Sequence, residues 1–464
     1  MQDRTHRVHG GHPGPPQTDP GPWSVWGGRL LAVVSGAMAL SLAWAWIQTF
    51  YRGVAVSSLL SFSSSDQPWM PIDSVARPII GNHFFGDFQL PFAFGGNLLH
   101  SLSPYLSSSI PNSFSPLGIV FFMPFHLLSL RPAALVYLVI TSAIFLVPLW
   151  LLLAPLRWEN RLIFLVPVAI VTTPFASTMD RGNTIGFAMG LLAWAIWASR
   201  SERWVLCGSL LCVAIAIKGY PAAVLVVPLA LRRYRFTLLV AASAVGLNLL
   251  ALVLYPGGYL RNLRVAIPAM ASFKLVGLTQ LYSWSLYSIV PKTAGFFFGP
   301  SAANQFLAPG RLLLWLPAVI YLCAVYYVIR RAVVPQWCWG PLALASVQLI
   351  VPLSFAYSTA WAPVAAVWYA WGCLIRIDSG SRSEIDEQGW VALRVLLLLA
   401  LTVTLAPSVF AITGAGGFTT PVAQYLSPVL VLATLCVAVA QSLRPRTVDS
   451  RLQPTAEAAE VALR

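Results

Sequence analysis

From residue 133 to residue 441 the chain is a succession of apolar runs punctuated by ones and twos of charged residues. The runs fall at roughly 133–155, 162–178, 184–199, 204–217, 221–231, 236–255, 311–329, 338–354, 361–376, 391–411 and 422–441, with an earlier one over 28–50. No other feature constrains the fold as strongly, because each membrane crossing uses about 20 predominantly apolar residues. Composition agrees: of 464 residues, 58% are hydrophobic and 9% charged, against about 25% charged in a soluble domain. So few charges cannot cover a water-facing surface, which excludes a soluble enzyme, a disordered chain and a disulfide-stapled secreted domain. The expected fold class is an all-α polytopic membrane protein, a bundle of about twelve transmembrane helices. Runs too short to cross, broken by Pro or Gly, fit where the backbone is shielded by protein or lines a cavity. The stretch 116–130, with Pro116 and Pro124, reads as a re-entrant or tilted helix at the membrane edge.

The organisation follows from the same pattern. Residues 1–27 are polar, rich in Gly, Pro and His, and read as a disordered tail; the run His6, His9, His12 is better explained by that tail than by a metal. Residues 28–441 form the membrane domain, with external loops over 52–115 and 256–310, and 442–464 is a second disordered tail. Net charge is +14, yet the basic residues stand in ones and twos between apolar runs. Such spacing marks loop ends at anionic headgroups rather than a nucleic-acid surface, so membrane lipids are expected partners and nucleic acid is not. With the N-terminus inside, 19 of the 29 basic residues fall on the cytoplasmic side, as the positive-inside rule requires. The expected localisation is a multi-pass plasma-membrane protein with both termini cytoplasmic. The six cysteines lie inside apolar runs without a Cys-x-x-Cys and read as small hydrophobes. No motif names a metal or another cofactor.

The acids narrow the search for chemistry. That orientation leaves Asp66, Asp73, Asp87 and Asp180 outside. Asp180 adjoins Arg181, where a local ion pair is the plain explanation, and Asp66 and Asp73 sit among Ser and Pro as solvated loop acids do. Asp87 lies in Gly81-Asn82-His83-Phe84-Phe85-Gly86-Asp87-Phe88, an acid among aromatics at the membrane surface, where an unpartnered charge is costly. Its plainer reading is the N-cap of a helix starting at Phe88 or Gln89. Ten basic residues stay outside against the general bias, including all three lysines, Lys218, Lys274 and Lys292. An anionic ligand explains them best where they meet a helix break: Lys218 in Ile217-Lys218-Gly219-Tyr220-Pro221, and Arg181 in Asp180-Arg181-Gly182-Asn183. Snorkelling to headgroups accounts for most of the others.

Five stretches, in order, carry a family resemblance. They are Gly86-Asp87-Phe88 followed by Ser103-Pro104-Tyr105 and Phe114-Ser115-Pro116-Leu117; Arg181-Gly182-Asn183; Lys218-Gly219-Tyr220-Pro221 followed by Arg232-Arg233-Tyr234; Tyr282-Ser283-Trp284-Ser285-Leu286; and Pro352-Leu353-Ser354-Phe355-Ala356-Tyr357. The chain resembles the glycosyltransferases of family 87, within the C-type superfamily of membrane enzymes that use polyprenyl-phosphate sugars. The members it is similar to are actinobacterial mannosyl- and arabinofuranosyltransferases of the cell envelope. The resemblance implies a C-type bundle with a long first external loop, an extracytoplasmic active site, and inverting transfer of one sugar, mannose or another hexose or arabinofuranose. The donor would be a polyprenyl-phosphate sugar, and the acceptor a glycolipid or glycan. It gives Asp87 the role of general base, with Arg181 and Lys218 at the donor phosphate. His83, His100, Asn183, Tyr220, Ser285 and Tyr357 are further candidates for substrate contact. Two readings compete with it. A lipid-linked-sugar flippase or transporter predicts polar residues within mid-membrane helices and related halves, neither of which is evident. A glycan ligase would want the same external basic residues.

Overall fold

The computed structural model describes residues 29–30, 32–37, 39–40, 43–44, 86–107, 114–170, 172–271, 289–305, 311–331, 338–347, 359–378, 391–405, 411–413 and 419–443. His83, Ser285, Tyr357, the tail 1–27 and residues 444–464 lie outside them. The described chain is helical. Its principal helices are α1 (Gly86–Leu99), α2 (Leu130–Leu152), α3 (Thr173–Arg181), α4 (Thr184–Arg200), α5 (Trp204–Ile217), α6 (Tyr234–Ala251), α7 (Tyr259–Ala271) and α8 (Ile289–Phe298), followed by α9 (Arg311–Arg330), α10 (Trp361–Asp378), α11 (Val391–Leu405) and α12 (Val422–Leu443). Between the last two apolar runs a short antiparallel ribbon forms. Strands β1 (Ala411–Thr413) and β2 (Thr419–Pro421) pair Ile412 with Thr420, and both are rich in β-branched residues that suit a pleated strand.

Two helical stretches are long and apolar enough to span a membrane, Leu130–Leu152 and Tyr234–Leu254. Their outward residues, Val139 and Val147 on α2 and Leu238, Val245 and Leu250 on α6, are exposed. A soluble bundle would have turned those side chains inward, so these faces suit lipid. The helices also carry interior prolines, Pro148 in α2 and Pro428 in α12, which each remove one helical hydrogen bond and are tolerated in membrane helices.

The centre of the bundle is α4, buried along nearly its whole length. Small residues let its neighbours in: a Cβ on Gly190 would stand 2.8 Å from the Ile144 backbone of α2, the close approach that glycine permits between membrane helices. α4 and α5 form an antiparallel hairpin, turned by residues 201–203. The start of α4 and the end of α5 therefore lie together, and α6 packs alongside α5. The stretch 116–130 is helical in two pieces. It consists of a helical turn, Pro116–Val120, and a 3-10 turn, Met123–Leu127, broken where Pro124 enters.

Candidate active site

α1 begins at Gly86, and Asp87 stands in its first turn. The adjacent Phe88 is wholly buried among Phe92, Phe122, Phe125 and Tyr137, with ring centroids 5.1–6.2 Å away. Two glycines draw the helix down: a Cβ on Gly95 would meet the Phe122 backbone at 3.1 Å, and one on Gly96 would strike the His126 ring. His126 stacks on Phe92 with ring centroids 3.9 Å apart, and its Nε2 hydrogen-bonds the Phe92 carbonyl. Anchored by this aromatic floor, α1 holds Asp87 over the start of α4.

The Arg-Gly-Asn triplet is a helix break in three residues. Arg181 ends α3, Gly182 follows in the left-handed region at φ 62°, and Asn183 caps α4 by accepting the Ile185 N–H at its Oδ1. Left-handed backbone costs a non-glycine residue about 1–2 kcal/mol, which is why the middle position is glycine. Both flanking side chains then reach Asp87. Arg181 donates from Nη2 to Oδ1 at 2.9 Å and from Nε to Oδ2 at 3.0 Å, and Asn183 Nδ2 donates to Oδ2 at 2.8 Å. The carboxylate is thus gripped by a guanidinium fork, the strongest common geometry for that pair. The helix starts at Gly86 rather than at Phe88 or Gln89, so Asp87 lies within its first turn and not ahead of it as the cap. Arg181 pairs 94 residues back in the chain, and the side chain of its neighbour Asp180 lies outside the described ones.

Lys218 arrives from the other side of the hairpin. It terminates α5 with an extended backbone, and its Nζ lies 5.3 Å from the Phe114 ring centroid and 5.7 Å from that of Tyr220, a cation held between two aromatic faces. The Phe114-Ser115-Pro116 turn is itself tied to the end of α5. Ser115 Oγ donates to the Ile217 carbonyl at 2.8 Å, and Asn248 of α6 donates to the Ala216 carbonyl while accepting the Leu117 N–H. On the flank, Tyr105 and Tyr255 stack at 5.4 Å and donate to the carbonyls of Phe114 and Pro116. Asn262 of α7 closes this cluster by accepting from Ser103 and donating to the Pro256 and Gly258 carbonyls.

Charge and burial act against each other here. Burial by itself pushes the Asp87 carboxyl up, but the Arg181 charge, the hydrogen bonds from Arg181 and Asn183, and the Lys218 charge outweigh it and hold the group below its ordinary 3.8. Asp87 is a carboxylate at neutral pH. Burial lowers the Lys218 ammonium from its ordinary 10.5, and the Asp87 charge opposes that. Among the described side chains, two cations face one carboxylate, a local excess of positive charge.

Of the sequence candidates, Asp87, Arg181, Asn183, Lys218 and Tyr220 meet at one end of the bundle. His100 does not: it is exposed just past the end of α1, about 20 Å along the helix from Asp87. Lys292 is fully buried on α8, where burial brings it down to about 7, so it does not snorkel as most external basic residues were expected to. Phe114 and Ser115 shape the site through the aromatic-Pro turn. Tyr137, His126, Asn248 and Asn262 carried no signal in the sequence, each being a single polar or aromatic residue inside an apolar stretch.

Fold and site together define a helical membrane protein with a buried ionic centre at one end of its bundle. Residues 113–284 match the model of glycosyltransferase family 87. The resemblance drawn from the motifs is thus shown over a stretch that contains Arg181, Asn183, Lys218 and Tyr220 and begins after Asp87. The matched stretch is therefore similar to a family of glycosyltransferases. No curated protein and no solved structure matches the chain.

Proposed function

We propose that this protein is an inverting glycosyltransferase of the plasma membrane. In this reading it moves one sugar, mannose or another hexose or arabinofuranose, from a polyprenyl-phosphate donor to a glycolipid or glycan acceptor on the extracytoplasmic face. The bundle has about twelve crossings, both termini are cytoplasmic, and the Asp87 end faces outward. The observation that carries the reading is the excess of positive charge among the described side chains around Asp87: Arg181 and Lys218 against one carboxylate that is 11% exposed. A lipid-linked donor with one phosphate brings the negative charge that this centre lacks.

The acceptor hydroxyl attacks the anomeric carbon, the bond from that carbon to the phosphate oxygen breaks, and Asp87 takes the hydroxyl proton. An ionised carboxylate is ready to accept it. Lys218, boxed between Phe114 and Tyr220, meets the negative charge that builds on the departing phosphate. Arg181 serves both partners. As phosphate draws on the guanidinium, the carboxylate loses part of its stabilisation and becomes the stronger base when the donor is bound.

The test is transfer by membranes carrying the wild-type chain or Asp87→Asn, with a panel of labelled polyprenyl-phosphate sugars. One sugar is transferred by the wild type, and Asn at position 87 lowers the rate by about 10²–10⁴ while the protein still inserts. Transfer that survives the substitution would move the base to Asp66, Asp73 or Asp180. A wild type that uses no donor would favour the flippase or ligase, to be followed by a lipid-translocation assay.

A further inference from the structure

The Arg232-Arg233-Tyr234 motif takes no part in the site above, because it lies at the far end of the same helices. α5 runs from Trp204 to the Lys218 junction, about 21 Å at 1.5 Å per residue, and α6 runs beside it from Tyr234 towards Tyr255. Between the starts of the two helices is a cavity of about 440 Å³ lined by Trp204, Arg232, Arg233, Tyr234, Arg235 and Phe236, within the usual size of small-molecule sites. Arg233 lies over the Trp204 ring at 4.0 Å, which fixes the guanidinium plane against the indole. Arg232 turns the chain into this position with a left-handed φ of 61°. The only acid between residues 200 and 236 is Glu202, and among the described residues no carboxylate pairs with any of the three arginines.

A second cavity, about 350 Å³, adjoins the first and shares Trp204 and Phe236 with it. It climbs between α5 and α6 past Gly208, Cys212, Leu239 and Val240. Its surroundings are apolar and open: Val205 is 86% exposed and Leu238 71%. A pocket lined by three arginines and leading into an apolar groove on a lipid-facing surface has the layout of a phospholipid, headgroup at one end and acyl chain along the other.

We propose that the Arg232–Arg233–Arg235 cavity and the α5–α6 groove form a binding site for one anionic membrane phospholipid, at the opposite end of the bundle from Asp87. The three guanidinium groups take the phosphate, Trp204 covers the interfacial glycerol region, and one acyl chain lies in the groove over Gly208. The proposal stands independently of the sugar-transfer reading. Basic pockets between membrane helices recognise anionic headgroups through this charge complementarity. The apolar groove distinguishes a lipid from a soluble phosphate, which would use the arginines alone.

The experiment is native mass spectrometry of the full-length protein in neutral detergent, titrated with phosphatidylglycerol, phosphatidylcholine or glycerol 3-phosphate. Wild type should bind one phosphatidylglycerol saturably and phosphatidylcholine at least about tenfold more weakly. The Arg232→Gln/Arg233→Gln/Arg235→Gln variant should bind phosphatidylglycerol about a hundredfold more weakly, at about tenfold or less per charge, and Arg131→Gln should bind it as wild type does. Ser243→Phe, which fills the groove from α6, should weaken phosphatidylglycerol and leave glycerol 3-phosphate unchanged. If the triple variant does not fold, the single Arg235→Gln carries the comparison and should still weaken phosphatidylglycerol several-fold. Equal binding of the two lipids, or phosphatidylglycerol binding untouched by the arginine changes, would overturn the site. Glycerol 3-phosphate binding as tightly as phosphatidylglycerol, with no effect of Ser243→Phe, would overturn its assignment to lipid.

Discussion

Asp87 is a carboxylate with three hydrogen bonds from two side chains, largely withdrawn from water but not from positive charge. Folding lowers its pKa, so the ionised pair stabilises fully at pH values above the unfolded-state value, near 4, and that stability is lost as pH falls through the lower folded value. The thermal midpoint of the detergent-solubilised protein should therefore hold level on this account between pH 8 and about 5 and drop below about 4. Asp87→Asn should flatten the drop. Removing the partner is a different perturbation: Arg181→Leu leaves a buried charge uncompensated and should lower stability by about 3–5 kcal/mol, read as a large fall in the same midpoint. Lys218 sets the alkaline side of the activity profile. Burial lowers its pKa, so kcat/KM should fall with rising pH below 10.5, and Lys218→Arg, which does not titrate there, should move that limb upward.

Helix ends, more than helix bodies, carry the chemistry. The break between α3 and α4 aims two side chains at one carboxylate only because Gly182 takes a left-handed φ. Gly182→Ala should cost about 1–2 kcal/mol of stability and reduce transfer further than that loss of folded protein explains, since Arg181 and Asn183 both pivot on it. Quantifying inserted protein alongside the transfer rate separates the two effects. α1 depends on close approach rather than on a turn. At Gly95 a side chain meets backbone, which cannot swing away, whereas at Gly96 it meets the His126 ring. Gly95→Leu should therefore displace α1 from its aromatic floor and abolish transfer, and Gly96→Ala should reduce it by pushing the His126 ring off Phe92.

For the molecule as a whole, the antiparallel α4–α5 hairpin separates two polar ends by the length of a helix, about 21–26 Å. One end holds Asp87 and Lys218, the other the three arginines. In intact cells a membrane-impermeant maleimide should label Tyr259→Cys, at the Asp87 end, and should reach Ser201→Cys, in the far turn, only after the membrane is opened. The reverse pattern would invert the proposed orientation and with it the side on which sugar transfer occurs.

The sequence alone determined the kind of protein this is, because the density and spacing of apolar runs reflect transfer from water to lipid, a property each segment carries by itself. It also marked the helix breaks. Gly182 and Gly219-Tyr220-Pro221 interrupt apolar runs with residues that end or begin helices for local reasons, and counting external acids brought Asp87 forward before any contact was known. Partners across the fold were beyond its reach. Arg181 pairs with Asp87, 94 residues away. That choice depends on how α1 lies on the aromatic floor over the start of α4, which no local spacing encodes. The same holds for Asn248 and Asn262, lone amides in their helices whose value comes from carbonyls delivered by other segments, and for Lys292, an apparent surface cation that packing encloses. Hydropathy and turn chemistry act within a few residues of chain, so they write the elements. Ion pairs and close packing act across space, so the tertiary structure alone decided which of those elements share a carboxylate.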